Sequence, residues 1–480
     1  MATQALPYAY ISLAVMRQQL ANRLYDASMV FWSSAELTVL IQSSLRTWNA
    51  LTGYWRNDYT FQSQQGVTWY DLTDTTAMPN TLRPYTVTDL SVYQEILYHL
   101  LEPITGPVSL QFTTDDIVQA VQRRRDEILS VTSCTQTLRT IGAVAGRITL
   151  PDTVIDVRRM AYLPTESVLT GKGYGTGRYG FGLYGKSASP RIDIPKPSVL
   201  WPEDTWAEQS YDPLYTLNPA GTPTKPLTYI MSTQPPLSFD TDAPPSFGGS
   251  YELLTVEAGG PLSFTSPSTF TIPDDWVHVI KWGALADLFG RQSNASDSLR
   301  QGYCEQRYQM GLKLLSDAPA LLAMRVNNVP TQVSSVRGAD LYNTSWEGAE
   351  QSTPSEIYHA GLNMIALSPP PDAGVNNVPY DMTATVIENA PVPVNDDDFV
   401  QVGRDDLDCI LDYATHTAMF KAGGTEFMST IPLFQRFQKQ AALYNRKLLE
   451  IAEYNSMLRW VSQMEKSQNP VEQPEGIEAT

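Results

Sequence analysis

The sequence predicts an α+β protein: helical bundles at both ends, a small β-rich sandwich or barrel between them, long extended arms and a C-terminal heptad helix. Three observations carry this. Capped stretches with apolar residues at three- and four-residue spacing lie before Leu129 and after Ile272. Between them, short β-branched and aromatic runs alternate with Pro and Gly turns. The length of 480 residues, 42% of them hydrophobic, exceeds the usual domain of about 100–200 residues and supplies enough apolar side chains for a core.

Residues 1–145 read as a helical block. Ser33 is an N-cap, Glu36 stands where a capping box closes, and Trp32 and Leu37 are placed as a hydrophobic staple. Leu37, Leu40, Ile41, Leu45 and Trp48 then keep one face, and Gly53 suits a left-handed stop. A second helix is expected over Asp89 to Leu101. A third opens at Thr113-Thr114-Asp115-Asp116, with Ile117, Val121, Arg125 and Ile128 on one face. Its run Arg123-Arg124-Arg125-Asp126-Glu127 mixes signs within two turns, which reads as a solvated face or salt bridges in preference to an anion site.

Residues 146–271 form the expected β-rich domain, with strands over 147–150, 154–162, 226–230 and 251–256 and a Gly/Tyr loop at 171–185. Residues 272–325 read as a helical pair, in which Pro273 suits the first turn and Asp274 and Asp275 suit the positive end of the helix dipole. Residues 326–395 are Pro-, Asn- and Ser-rich and read as an extended arm with little strand content. A second helical pair occupies 396–466, with Gly423-Gly424 as a break. In its last helix Phe434, Phe437, Ala441, Tyr444, Leu448, Ile451, Asn455 and Leu458 alternate spacings of three and four, a heptad seam. The tail, 467–480, carries Pro470 and Pro474 and is expected to be flexible.

The sharpest formal motif is Gly180-Phe181-Gly182-Leu183-Tyr184-Gly185-Lys186-Ser187, which satisfies the phosphate-loop pattern. A phosphate cradle needs a strand before it and a helix after it, and here glycines precede it and Pro190 follows. Tyr174, Tyr179, Phe181 and Tyr184 are instead assigned to a loop whose rings press onto a partner, and Phe437, Tyr444 and Ile451 to a second partner interface. His99, His278, His359 and His416 are scattered without metal-ligand spacing. The cluster Asp396-Asp397-Asp398 with Asp405, Asp406 and Asp408 lacks the Gly turn and terminal Glu of a calcium loop and reads as helix capping. Cys134, Cys304 and Cys409 suit neither a disulfide framework nor an activated thiolate, and no G-x-S-x-G elbow occurs. No cofactor, metal or catalytic group is expected.

Lys+Arg 33 against Asp+Glu 51 gives a net charge of −18, unsuited to gripping nucleic acid through its phosphates. Residues 1–16 lack a basic signal-peptide start, and no apolar run approaches the roughly 20 residues of a membrane span. The expected setting is the cytoplasm or an assembly built there.

Three stretches, Thr113 to Leu129, Leu150 to Arg159 and Ile272 to Ala286, resemble in this order the head-to-tail connector (neck adaptor) proteins of tailed bacteriophages. The resemblance covers residues 30–320 in layout. It implies a structural virion protein, not an enzyme. It implies a homo-oligomeric ring, usually of twelve copies, beneath the portal protein, joined to tail or further neck proteins and framing a channel that genomic DNA passes without specific binding. No membrane contact is implied. The second helical pair, the arm and the heptad helix go beyond a compact adaptor. They leave a collar, fibre-attachment or tail-hub protein, or a non-viral scaffold or binding module, as alternatives.

Overall fold

The computed structural model describes residues 10–73, 85–101, 112–144, 147–164, 192–194, 229–232, 236–241, 249–263, 267–291, 297–318, 321–336, 338–339, 346–348, 351–372, 374 and 378–446. The fold is α+β. Helices α1 (Leu13–Arg23), α2 (Ser34–Thr52), α3 (Asp89–Leu100), α4 (Thr114–Thr132), α5 (Val277–Phe289), α6 (Ser298–Asp317), α7 (Arg404–Ala422), α8 (Gly424–Ser429) and α9 (Ile431–Arg446) come from three separate parts of the chain. They bury one shared apolar cluster that includes Leu37, Trp48, Ile117, Trp282, Tyr308, Ile410 and Phe437. The helical ends expected from the sequence are therefore a single body.

Local chemistry starts these helices where the sequence places them. The Ser33 hydroxyl accepts the Glu36 N–H, and Gly53 ends α2 at φ 53°. On α4 the Asp116 N–H donates to Thr113 Oγ1 at 3.2 Å and the Thr113 N–H donates back to Asp116 Oδ2 at 3.1 Å, a complete capping box. Asp297 caps α6 by accepting the N–H groups of Leu299 and Arg300. Between α5 and α6 the absence of side chains at two glycines is what permits contact: a Cβ on Gly283 would lie 2.7 Å from the Tyr308 ring, and one on Gly311 2.6 Å from Val279.

Two corrections to the sequence reading follow from tertiary contacts. Residues 326–395 are not an extended arm. They hold β12 (Val329–Ser335), β13 (Glu356–Ala360), β14 (Met364–Ser368) and β15 (Asp381–Ile387), which join β11 (Leu321–Val326) in a seven-stranded sheet of order β2-β15-β11-β12-β13-β14-β3. Nor is the block 1–145 wholly helical, because β2 (Arg56–Gln62) and β3 (Trp69–Asp71) are the two edges of that sheet. The strands are short, and β2 and β3 find their partners β15 and β14 hundreds of residues away, so local composition hides the sheet. All pairs are antiparallel except β12 with β13. Although β2 and β3 are neighbours in sequence, they flank opposite ends of the sheet. The sheet curls until the Phe61 and Tyr70 rings stand 5.6 Å apart, enclosing Met324, Ile357, Ile365 and Met382.

Tertiary contacts also give the charged stretches partners far away in the chain. Asp274 and Asp275 stand, as expected, in the first turn of a 3-10 helix (Asp274–Trp276) that runs into α5, and they do more than face its dipole. Asp274 accepts the N–H groups of Thr86 and Val87, and Asp275 accepts from the Asn49 side chain and the Ala390 N–H, so both staple distant segments to the body. In the Arg123–Arg125 run only Arg123 faces solvent. Arg124 is buried, forks onto Asp287 at 2.6 and 3.0 Å and covers the Tyr308 ring, while buried Arg125 donates to the Gly260 carbonyl.

The β-rich centre forms two small sheets, β4-β10-β6-β7 and β5-β9-β8, built from β4 (Thr137–Gly142), β5 (Ile148–Thr149), β6 (Val154–Pro164), β7 (Ile192–Ile194), β8 (Tyr229–Met231), β9 (Ser238–Thr241) and β10 (Gly249–Glu257). They share a core of Val157, Tyr162, Tyr229, Phe239 and Tyr251. A two-stranded ladder of β1 (Ile11–Ser12) and β16 (Phe399–Val400) ties the start of α1 to the segment before α7. Strand β10 is the keel of the molecule. Its Leu253 enters the centre, Leu254 the outer face of the curled sheet beside Trp69 and Trp346, and Val256 the helical body.

Candidate functional site

Where these units meet, a cavity of about 500 Å3 opens between the ends of α4 and α6, strands β6 and β10, and the C-terminal ends of β12 and β13 of the curled sheet. That is the size of small-ligand or side-chain pockets. Ser133, Gln136, Arg158, Arg159, Leu315 and His359 are among its lining residues. The wall is stitched by Asn363, whose side chain accepts the Gln136 N–H at 2.9 Å and donates to the Gln136 carbonyl at 2.8 Å. Beside it Gly361, at φ 63°, leaves no room for a Cβ, which would sit 2.7 Å from the Cys134 carbonyl oxygen.

The electrostatics of the cavity are balanced. Arg159 pairs with Glu347 at 2.5 Å and lies over the Trp346 ring, and Arg158 pairs with Asp156 at 3.2 Å and donates to the Ser133 hydroxyl. Burial lowers the pKa of His359, keeping the imidazole neutral, and raises that of Cys134, keeping the thiol protonated. Gln136 Nε2 donates to the Ser133 carbonyl, but Gln136 Oε1 is buried with no partner. With its arginines paired and its imidazole neutral, the cavity suits an uncharged group.

A second feature lies at the far end of the helical body, in the turn joining α1 to α2. Asp26 organises it: its carboxylate accepts the N–H groups of Val30, Phe31 and Trp32 at 2.8–3.0 Å, which holds its pKa below the usual carboxylate range. The Trp32 indole donates to the Ala418 carbonyl, and Lys421 Nζ donates to the Phe31 carbonyl and pairs with Glu36. The turn so fixed carries Tyr25 at φ 57° and Met29 at φ 55°. It displays Tyr25 99% exposed, Val30 83% exposed and Phe31 half exposed.

The structure answers only part of the sequence assignment of interface residues. Tyr174, Tyr179, Phe181, Tyr184 and Ile451 lie outside the described residues. Phe437 is not a partner contact: it is fully buried, stacked 4.5 Å from Tyr413 and 5.6 Å from Trp48. Tyr444 packs on the same seam, 6.0 Å from Trp48 and 5.3 Å from Tyr54. The heptad face of α9 is consumed by α7 and α2 of its own chain, because two long helices with matching apolar stripes are already at hand. Beside it, buried Arg307 lies 4.2 Å from the Phe434 ring and donates to the Tyr413 hydroxyl at 2.6 Å.

Neither the cavity nor the turn was read from the sequence. The one signal was the run Met29-Val30-Phe31-Trp32, apolar in a place where a turn would ordinarily be polar. The side chains of Asp396 and Asp398 do not cap α7, whose N-cap is Gly403: Asp396 pairs with Arg17 of α1, far away in the chain, and Asp398 accepts the Val394 and Asn395 N–H groups. Among the described residues no group of His, Cys, Asp or Glu is placed to hold a metal ion, and no helix is long and apolar enough to cross a membrane. In comparisons with known proteins the chain matches no family model and no curated protein.

Proposed function

We propose that this chain is a structural virion protein of a tailed bacteriophage, a ring-forming component of the head-to-tail connector that joins the portal to the tail. One observation supports this above the others. The three stretches that carry the resemblance meet at one apolar cluster. Arg124 of α4 packs against Gly283 and forks onto Asp287, just past the third stretch. Ile155 of β6 packs against the apolar cluster that holds Ile117 and Ile272.

In this reading the chain is a part of a machine and performs no catalysis. Its partners are further copies of itself, the portal ring and the tail or neck proteins below, and its location is the virion. The net charge of −18 suits a channel wall that DNA passes without being held. The test is native mass spectrometry of the purified chain, alone and with a candidate portal ring. A discrete ring or a portal-bound complex is expected. A monomer indifferent to the portal would overturn the reading in favour of a binding module, the alternative that the 500 Å3 cavity supports.

A further inference from the structure

We propose that the outward face of the β1–β16 ladder docks a cationic segment of another protein, one that carries an aromatic or aliphatic anchor beside its Lys or Arg side chains. This goes beyond the ring reading and holds whether or not copies of the chain form a ring. Four apolar side chains gather around the ladder. In it Ile11 stands opposite Val400 and Ser12 opposite Phe399. Val400 points into the helical body and is fully buried, so Phe399, one residue earlier, points out, and it is 61% exposed. Tyr10, two residues before Ser12, lies on the same side and is half exposed. The Ala14 N–H donates to the Asp396 carbonyl, which sets exposed Val15 of α1 beside the segment that carries Val394, 71% exposed. Single exposed apolar residues are ordinary, whereas a group of them rimmed by charge marks an interface.

This surface keeps its shape through bonds within the chain. Arg17 of α1 forks onto Asp396 at 2.8 and 3.0 Å. Asp398 accepts the N–H groups of Val394 and Asn395 at 2.9 and 2.6 Å, and the Trp55 indole donates to the Gln401 carbonyl just past β16. A surface ordered in advance loses little conformational entropy when it is covered, so more of the apolar burial appears as affinity.

Charge selects the occupant. From Val394 to Asp408 the chain carries six aspartates and one basic residue, Arg404. Asp396 is matched by Arg17 and Asp398 by backbone donors, while Asp397, exposed between them, has no partner among the described residues. A second copy brings a net charge of −18 and meets like charge here. Nucleic acid and anionic lipid are disfavoured for the same reason. A segment with Lys or Arg flanking an apolar side chain combines burial against Phe399 and Val394 with attraction to Asp397.

The test begins with a library of random peptides, selected on the immobilised full-length protein and counter-selected on Phe399→Ser, a change to an exposed side chain that leaves the ladder hydrogen bonds in place. The retained peptides are expected to combine Lys or Arg with an aromatic or aliphatic residue. Binding of one such peptide should weaken roughly tenfold in Phe399→Ser. It should also weaken, and lose part of its salt dependence, in Asp397→Asn, which keeps the shape and removes the charge. Val30→Ser, at an exposed apolar position on the α1–α2 turn, should bind as the unaltered protein does. The proposal is wrong if counter-selection removes no peptide, if the retained peptides are acidic or uncharged, if Asp397→Asn changes nothing, or if Val30→Ser weakens binding as much as Phe399→Ser. It is also wrong if sedimentation finds the unaltered protein self-associated and Phe399→Ser monomeric, since the surface would then belong to a second copy. The ring reading is decided separately, by the native mass alone and with a portal ring.

Discussion

The helical body and the curled sheet solve the same problem, burying a large apolar surface, with different means of fixing register. In the body, charged side chains enter the core. Lys281, 1% exposed, pairs with Glu95 at 2.5 Å and donates to the Ser43 hydroxyl, tying α5 to α3 and α2. Arg23 and Arg436 both hold Asp412 of α7. The inside of the sheet is lined by Phe61, Ile357, Ile365, Leu367 and Met382, and its register is held by the backbone ladder. A helix closes its own hydrogen bonds and slides freely on its neighbour unless side chains forbid it, whereas a strand cannot shift without losing its ladder.

The largest break in this comparison is predicted at the buried ion pair. Lys281→Ala strands Glu95 and is expected to destabilise the body by about 3–5 kcal/mol, while Lys281→Met with Glu95→Leu recovers most of the loss. Hydrogen exchange followed peptide by peptide checks this: protection should fall in α3 and α5 and persist in β14 and β15. Equal loss in both regions would mean that the two unfold as one unit.

Acid provides the next largest contrast. Burial lowers the pKa of His278 and of His416 to about 3 and that of His99 well below its ordinary value, and all three lie in the body. A histidine depressed in the folded state takes up its proton on unfolding. Its contribution is therefore full above the unfolded pKa of about 6.5 and falls as the pH drops towards the folded value, by on the order of 2 kcal/mol for each at pH 5. Glu36 and Asp412, whose carboxyls burial pushes up, act in the opposite sense. Thermal melts between pH 7 and pH 5 should show the body weakening first, and a pH-independent melt would contradict it.

The smallest effect sharpens the comparison from the sheet side. Ile365→Val removes one methyl from the curled core and should cost about 0.5–1.5 kcal/mol, with the ladder unchanged. Denaturant melts with exchange measured in β3 and β13 would report it. A larger loss, or altered exchange of the ladder amides, would show that this core sets register as well as stability.

Much of the body was legible in the sequence because helix signals are local. Ser33, Gly53, and Thr113 with Asp116 act within four residues of themselves, and each start or stop stands where the chain predicts it. Of the β-rich centre, β5, β6, β8 and β10 were legible, since β-branched runs such as Val154 to Tyr162 are bounded by turns, whereas β4, inside the block read as helical, β7 and β9 were not. The curled sheet was not. In β14 all five residues are buried because Ile365 and Leu367 face the inner core while Met364 and Ala366 face Trp69 and Trp346, so no alternation is left to read. The seam of α9 was seen and its partner misjudged, because a heptad announces that a helix is wanted and not whose.

By itself, then, the sequence determined the α+β class, the caps and stops of the helices and the excess of negative charge, all of which depend on residue type or on neighbours a few positions away. Only the tertiary structure decided which strands pair, that three helical stretches share one core, and that Asp274, Asp275 and Arg124 bind distant segments. It also set the cavity at one end of α6 and the Tyr25 turn at the other. These depend on contacts between residues far apart in the chain, whose energies come from burial and geometry that no local pattern records.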